Sequence, residues 1–155
     1  MKNEEETVSL IYNIKLPYLF QKKLKDGTGQ EIGDIFEEAL IETVGDAKDV
    51  WRVRAIVLFR NIIDILVFYR DVKGEEITLS LIKSYLDINK ISCLYKVDKV
   101  PENISLKLKE YMKAIPLYNA NAKKQVDVTE HYYSFIQMII EHVLDRRFGD
   151  YLVLK

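Results

Sequence analysis

The residues of this chain that could do chemistry unaided are two histidines, one cysteine and a single glycine-containing turn. His131 and His142 lie eleven positions apart (142 − 131) in one helical stretch. That spacing gives them similar azimuths but sets them about 16 Å apart along the axis, at 1.5 Å rise per residue. They cannot share a metal ion through that helix, and neither is spaced from a cysteine or carboxylate in a zinc-binding pattern. Cys93 has only Lys90 and Lys96 near it in sequence and reads as a small core residue. As a lone cysteine it excludes an intramolecular disulfide and fits a reducing compartment. A phosphate cradle needs backbone amides at a helix N-terminus, and Gly27-Thr28-Gly29-Gln30 is the one candidate. It lacks the Gly-Lys-Ser/Thr ending that supplies a lysine and a metal-binding hydroxyl, so it reads as a plain turn. The acidic pairs Glu37-Glu38 and Glu75-Glu76 read as solvated faces. No catalytic, cofactor-binding or metal-binding residue is expected, and the chain is expected to bind rather than catalyse.

Aromatic and basic residues offer a different chemistry. Ten tyrosines are many for this length, and a base-stacking platform needs such rings beside basic side chains on one surface. Tyr132-Tyr133 near Lys123-Lys124 is one such grouping, and Tyr69-Arg70 another. The competing reading places the rings at helix seams with their hydroxyls wet. Arg146-Arg147 falls in a last helical turn, where cations offset the helix dipole. Lys123, Lys124, Tyr132, Tyr133, Arg146 and Arg147 are therefore the candidate contacts to a partner or to single-stranded DNA. A formal net charge of −1 provides no overall field for nucleic acid or an anionic membrane.

The elements that must position these groups are helices. Apolar residues make up 48% and charged residues 30%, with only six glycines and three prolines. That balance predicts one mainly α domain spanning 1–155, with a helical core over about 30–148, flanked by segments 1–29 and 149–155. Residues 8–20 fit an extended strand, since Tyr12, Ile14, Leu16 and Tyr18 share one face and Pro17 would break a helix. Residues 22–30 read as a charged loop. An apolar stripe of Ile32, Ile35, Phe36, Ala39, Leu40 and Thr43 predicts a helix from 32 to 44, closed by Gly45-Asp46.

The longest helix is expected from about Asp49 to Lys73, capped by Asp46 or Asp49 and stopped by Gly74. Arg54, Arg60, Asn61, Asp64 and Asp71 gather within about a third of its circumference, and the rest is apolar, as in the central helix of a bundle. The stretch Ala55 to Tyr69 is too short for a membrane span, which needs about 20 residues, and it is interrupted by Arg60, Asn61 and Asp64. Trp51, Arg54 and Asp64 are read as structural, with Trp51 anchoring the helix start and Arg54 pairing with a carboxylate. Thr78 is expected to cap 79–86, a short helical piece to run from about Asn89 to Tyr95, and Pro101 to open a helix that Pro116 ends. After a polar loop over 117–126 the last helix runs from Asp127 or Thr129 to about Phe148. Its predicted apolar face is Tyr132, Phe135, Ile136, Ile139, Ile140, Val143 and Leu144. Gly149 and an apolar tail, Tyr151 to Leu154, follow.

Several of these segments together resemble a known family. Asp49-Val-Trp51-Arg-Val-Arg54-Ala55, continuing through Ile62-Ile63-Asp-Ile-Leu66-Val67 to Tyr69-Arg70-Asp71, is similar to a segment of the coupling proteins of bacterial conjugation and type IV secretion. There a Trp-x-x-Arg-Ala motif opens a long apolar helix that ends in a charged turn. Ile77-Thr78-Leu79-x-x-Ile82-x-x-Tyr85-Leu86 resembles the next short helix of those proteins. Leu108-Lys-Glu-Tyr111, Ile115-Pro116-Leu117-Tyr118, Gln125 and His131-Tyr132-Tyr133 are similar to their Leu-Pro-Gly-Tyr turn and Gln-His-Gly-Tyr segment, with Leu117 and Tyr132 standing where the family has glycine. The resemblance covers roughly 30–148. It implies the all-α domain that is inserted in a RecA-like ATPase and caps the cytoplasmic mouth of a hexameric ring. It also implies binding of relaxase or relaxosome proteins, effectors or single-stranded DNA, at the cytoplasmic face of the inner membrane. Walker A and Walker B motifs are absent from these 155 residues, so no ATPase activity carries over, and a domain excised from such a protein is expected to be monomeric. The alternative is a freestanding helical adaptor or regulator, dimeric through the last helix.

Overall fold

The computed structural model describes residues 16–45, 49–97 and 99–149, and among these every regular element is a helix. The first helix, α1, covers residues 16–26. It is followed by α2 (Gly29–Val44), α3 (Val50–Lys73), α4 (Leu79–Tyr85), α5 (Ser92–Tyr95), α6 (Glu102–Lys113) and α7 (Asp127–Val143), and then by a π-helical segment, Leu144–Gly149. The chain is thus mainly α, packed as a helical bundle.

Local chemistry sets most boundaries. Asp49 accepts a hydrogen bond from the Trp51 amide and caps α3, and Gly74 ends it in the left-handed conformation at φ 71°. Thr28 and Glu31 form a reciprocal capping box that starts α2. Thr78 caps α4 through the Leu81 amide.

The central helix α3 touches α2, α4, α5, α6 and α7. Between Ala55 and Arg70 only Val57 is exposed, so the helix runs through the middle of the core. Of its polar stripe only Asp71 is exposed; Asn61 is buried and Arg54, Arg60 and Asp64 are partly covered by neighbouring helices. Arg60 and Asp64, one turn apart, lie against Gly33 and Gly29 of α2, where any side chain would collide with them. Two glycines at i, i+4 on α2 thus let the backbone approach a polar ridge on α3. Arg60 ion-pairs there with Asp34 at 2.8 Å. Burial raises the Asp64 carboxyl above its ordinary range, against the pull of Lys107 and Arg60.

Two expectations are corrected. Residues 16–20 are helical rather than extended, because Leu16, Phe20 and Leu24 recur at i, i+4 and i+8 and are all buried. Pro17 is the second described residue of α1 and does not interrupt the helix over 16–26. Residues 22–26 continue that helix, so the loop shrinks to Gly27-Thr28. The end of α1 is held by Arg70, whose guanidinium donates to the carbonyls of Lys23, Leu24 and Gly27 at 3.2, 3.1 and 2.6 Å. The remainder of the expected strand, the Asp46 cap and the tail Tyr151–Leu154 lie outside the described residues.

Candidate functional site: an aromatic groove between α3 and α7

The groove is built from two helix starts. The first turn of α3 carries Trp51 and, one turn on, Arg54; the first two turns of α7 carry Val128, His131, Tyr132 and Phe135. Trp51 meets Tyr132 edge-on with centroids 5.0 Å apart, and Phe135 at 5.4 Å. The Arg54 guanidinium sits 4.9 Å from the Trp51 ring and 5.2 Å from that of Tyr132, a cation between two π faces. The expected carboxylate partner of Arg54 is therefore replaced by two rings. Trp51, Asp127, Val128, His131, Tyr132 and Phe135 line an open depression of about 530 Å³. On the far side of Tyr132 a pocket of about 80 Å³ is lined by Arg54, Tyr111, Ala114, Ile115, Tyr132 and Ile136. Val128 and Phe135 are 57% and 58% exposed, which makes an apolar surface with one carboxylate, Asp127, on its rim.

The loop before α7 holds the groove in place. Gln125 is buried; its amide donates to the Asn119 carbonyl at 2.7 Å and accepts from the Asn119 amide at 3.0 Å, closing residues 119–125. Thr129 Oγ1 donates to the Pro116 carbonyl at 2.6 Å, tying the first turn of α7 to the end of α6. Tyr118 and Tyr95 share a hydroxyl–hydroxyl bond of 2.7 Å, and the Tyr111 hydroxyl donates to the Arg54 carbonyl at 2.7 Å. Burial raises the pKa of the Tyr95, Tyr111 and Tyr118 hydroxyls. They remain neutral hydrogen-bonding groups at physiological pH.

The structure separates the predicted contact residues. Tyr132 is half-buried on the groove wall. Tyr133 is not a surface residue: it is 1% exposed, its hydroxyl donates to the Leu86 carbonyl at 2.6 Å, and burial pushes its pKa well up. Adjacent residues of a helix point about 100° apart, so a Tyr-Tyr pair cannot put both rings on one surface. Lys123 and Lys124 are exposed in the loop leading into α7. Arg146 is exposed, whereas Arg147 reaches back to Glu42 of α2 at 2.7 Å. Of the six, Tyr133 is thus withdrawn into the core and Arg147 is engaged with Glu42.

Phe135 was expected on the inner face of α7 and lies outward instead. The helix buries Thr129, Tyr133, Ile136, Ile140 and Val143, a stripe that Tyr133 completes. Sequence reasoning missed Val128, Phe135 and His131 as a surface. The available signal was that apolar residues occupy two sides of α7, one more than its core contacts need.

Among the described residues no group of three or more histidine, cysteine, aspartate or glutamate side chains is placed to hold a metal ion, and no helix is long and apolar enough to cross a membrane. Comparison with family models, curated proteins and solved structures finds no match to this chain.

Proposed function

We propose that this chain is the cargo-recruiting domain of a type IV coupling protein, holding a segment of a partner protein in the groove beside Trp51, Tyr132 and Phe135. The observation that carries the reading is convergence. Trp51 and Tyr132 stand 81 positions apart in sequence (132 − 51), in two of the segments that resemble that family, yet their rings are 5.0 Å apart. Arg54 of the first segment and Tyr111 and Ile115 of the third line the adjoining pocket. A further feature supports the resemblance: Leu117, which stands where the family's turn has glycine, takes φ 58°, the left-handed conformation that glycine favours. The ends of the domain also suit an insertion, since Phe20 of α1 and Phe148 of the last segment stack at 4.0 Å.

A protein segment fits the groove better than single-stranded DNA. Tyr133 is absent from the surface, Arg147 is engaged with Glu42, and the groove's rim carries a carboxylate rather than a lysine. Recognition would then rest on burying apolar side chains among Trp51, Val128 and Phe135, with Arg54 holding the two walls together.

The test is capture by the immobilised chain of relaxase and accessory proteins encoded beside its gene, with a single-stranded oligonucleotide in parallel. The expected result is retention of a protein that is lost with Phe135→Ser, a change at an exposed position. Failure to retain any of them, under conditions where a full-length coupling protein does, would overturn the reading. Retention of the oligonucleotide alone would overturn the choice of protein as cargo.

A further inference from the structure

Three partly covered arginines find acceptors within the chain. Arg60 pairs with Asp34 at 2.8 Å, Arg147 pairs with Glu42 at 2.7 Å, and Arg70 donates to the carbonyls of Lys23, Leu24 and Gly27. Arg54 is partly covered as well, yet among the described residues its guanidinium donates no hydrogen bond and makes no ion pair. It has rings instead, Trp51 at 4.9 Å and Tyr132 at 5.2 Å. Aromatic faces attract the charge but leave its N–H donors without an oxygen acceptor. Arg54 also lines the pocket of about 80 Å³ on the far side of Tyr132, with Tyr111, Ala114, Ile115 and Ile136 as the other walls. None of these residues is acidic, so the pocket joins one unmatched cation to apolar and aromatic walls.

We infer that the Arg54 pocket receives a carboxylate of the protein segment that lies in the groove, which deepens the reading of the groove as a protein site and rests on it. The complement of a lone guanidinium is a planar group of one negative charge, which a carboxylate supplies through two parallel N–H···O bonds. A phosphomonoester would bring nearly two charges to walls that offer a single cation. Partial cover strengthens the pair, because a charge-assisted bond gains as water is excluded from around it. Tyr132 belongs to both cavities, so a segment crossing its ring sets an apolar side chain against Trp51 and Phe135 and a carboxylate beside Arg54. The groove's own carboxylate, Asp127, lines the wide depression and not this pocket, so the two cavities differ in charge and fix the direction of the segment. The carboxylate comes from an aspartate or glutamate side chain or from the segment's C-terminus; the chemistry is the same.

Selection of random short peptides on the immobilised full chain tests it. One phage library displays them without a free C-terminus and a second displays them with one, so the library that yields binders identifies the source of the carboxylate. Selected peptides are expected to join an aliphatic or aromatic residue to an acidic side chain or a terminal carboxylate. Binding of each synthetic peptide is followed by the fluorescence of Trp51, the only tryptophan of the chain. Replacing the peptide's carboxylate by the matching amide should weaken binding by about 10- to 100-fold. The protein is the same in both arms of that comparison, so folding does not enter it. Arg54→Gln should bring the acidic peptide down to the level of its amide and leave the amide unchanged, whereas Phe135→Ser should weaken both. Selected peptides without a carboxylate, an amide that binds as tightly as the acid, or an Arg54→Gln chain that loses both equally would each overturn the proposal. Peptides that need Arg54 while no relaxase or accessory protein is retained would overturn the coupling reading alone, and retained cargo indifferent to Arg54→Gln would overturn this one alone.

Discussion

Leu117 occupies a conformation that only glycine reaches without steric cost, at the turn that delivers the chain from α6 into the loop before α7. A left-handed residue with a Cβ is disfavoured by roughly 1–2 kcal/mol, of which some is returned by the smaller backbone entropy that leucine loses relative to glycine. Leu117 is 72% exposed, so its side chain contributes little packing to set against that strain. Leu117→Gly is therefore expected to stabilise the domain by about 0.5–1 kcal/mol, read as a higher urea midpoint with an unchanged slope. Trp51 is a different case. Its type and place at a helix start were legible in the sequence, but its half-exposed position was not, because exposure depends on α7, which joins α3 only in the folded chain. A fully buried tryptophan would lose about 3–5 kcal/mol on truncation. For this one, Trp51→Ala is expected to cost about 2 kcal/mol, or roughly 4–8 °C in Tm for a domain of this size. Tyr133 shows the opposite error, a predicted contact that is core. Tyr133→Phe leaves the buried Leu86 carbonyl unpartnered and should cost about 1–2 kcal/mol while leaving cargo capture unchanged.

At the scale of elements, the boundaries that were legible are those fixed within a few residues of sequence. Asp49, Thr78 and Gly74 act on amides or carbonyls no more than four positions away, and each was found at its predicted terminus. The first helix was missed because what holds it is distant: Phe20 packs on Phe59 and Phe148, and Arg70 closes its end from 43 to 47 positions along the chain. The polar stripe of α3 was legible as a stripe but not in its destination, since nothing local says that Gly29 and Gly33 bring a second backbone against it. That burial has a consequence for pH. Asp64 is raised in the folded state by burial, so the folded chain holds its proton more tightly than the unfolded chain does. The stability associated with this group is then greatest below the ordinary carboxylate value and is lost as pH rises through the raised one. Asp64→Asn keeps the shape and removes the titration. Its Tm relative to wild type should rise between about pH 4 and about pH 7, where the ionised form dominates in the unfolded chain. A constant difference across that range would mean that Lys107 and Arg60 offset the burial of the charge.

Over the whole molecule, the first and last described elements meet. Phe20 and Phe148 stack at 4.0 Å with planes 10° apart, both rings fully buried, and the final segment also reaches α2 through Arg147–Glu42 and α4 through Lys83–Asp145. The segment that makes these contacts is a π-helical turn. Leu144 and Phe148, four residues apart in it, are both buried in the core after the regular helix has ended at Val143. A domain whose ends are joined by its own core does not depend on the chain order in which its helices are connected. A circular permutant tests that directly. Residue 149 is joined to residue 16 by a Gly/Ser linker of about ten residues, which spans about 17 Å, and the chain is opened between the exposed Glu75 and Glu76. The α3–α4 connection there is capped on both sides by Gly74 and Thr78, so neither cap is cut. The permutant is expected to unfold in one cooperative transition within a few degrees of the parent, with the same helical circular dichroism. A broad or two-step transition would mean that the Phe20–Phe148 contact requires residues beyond 16 and 149. The junction proposed for an inserted domain would then lie elsewhere.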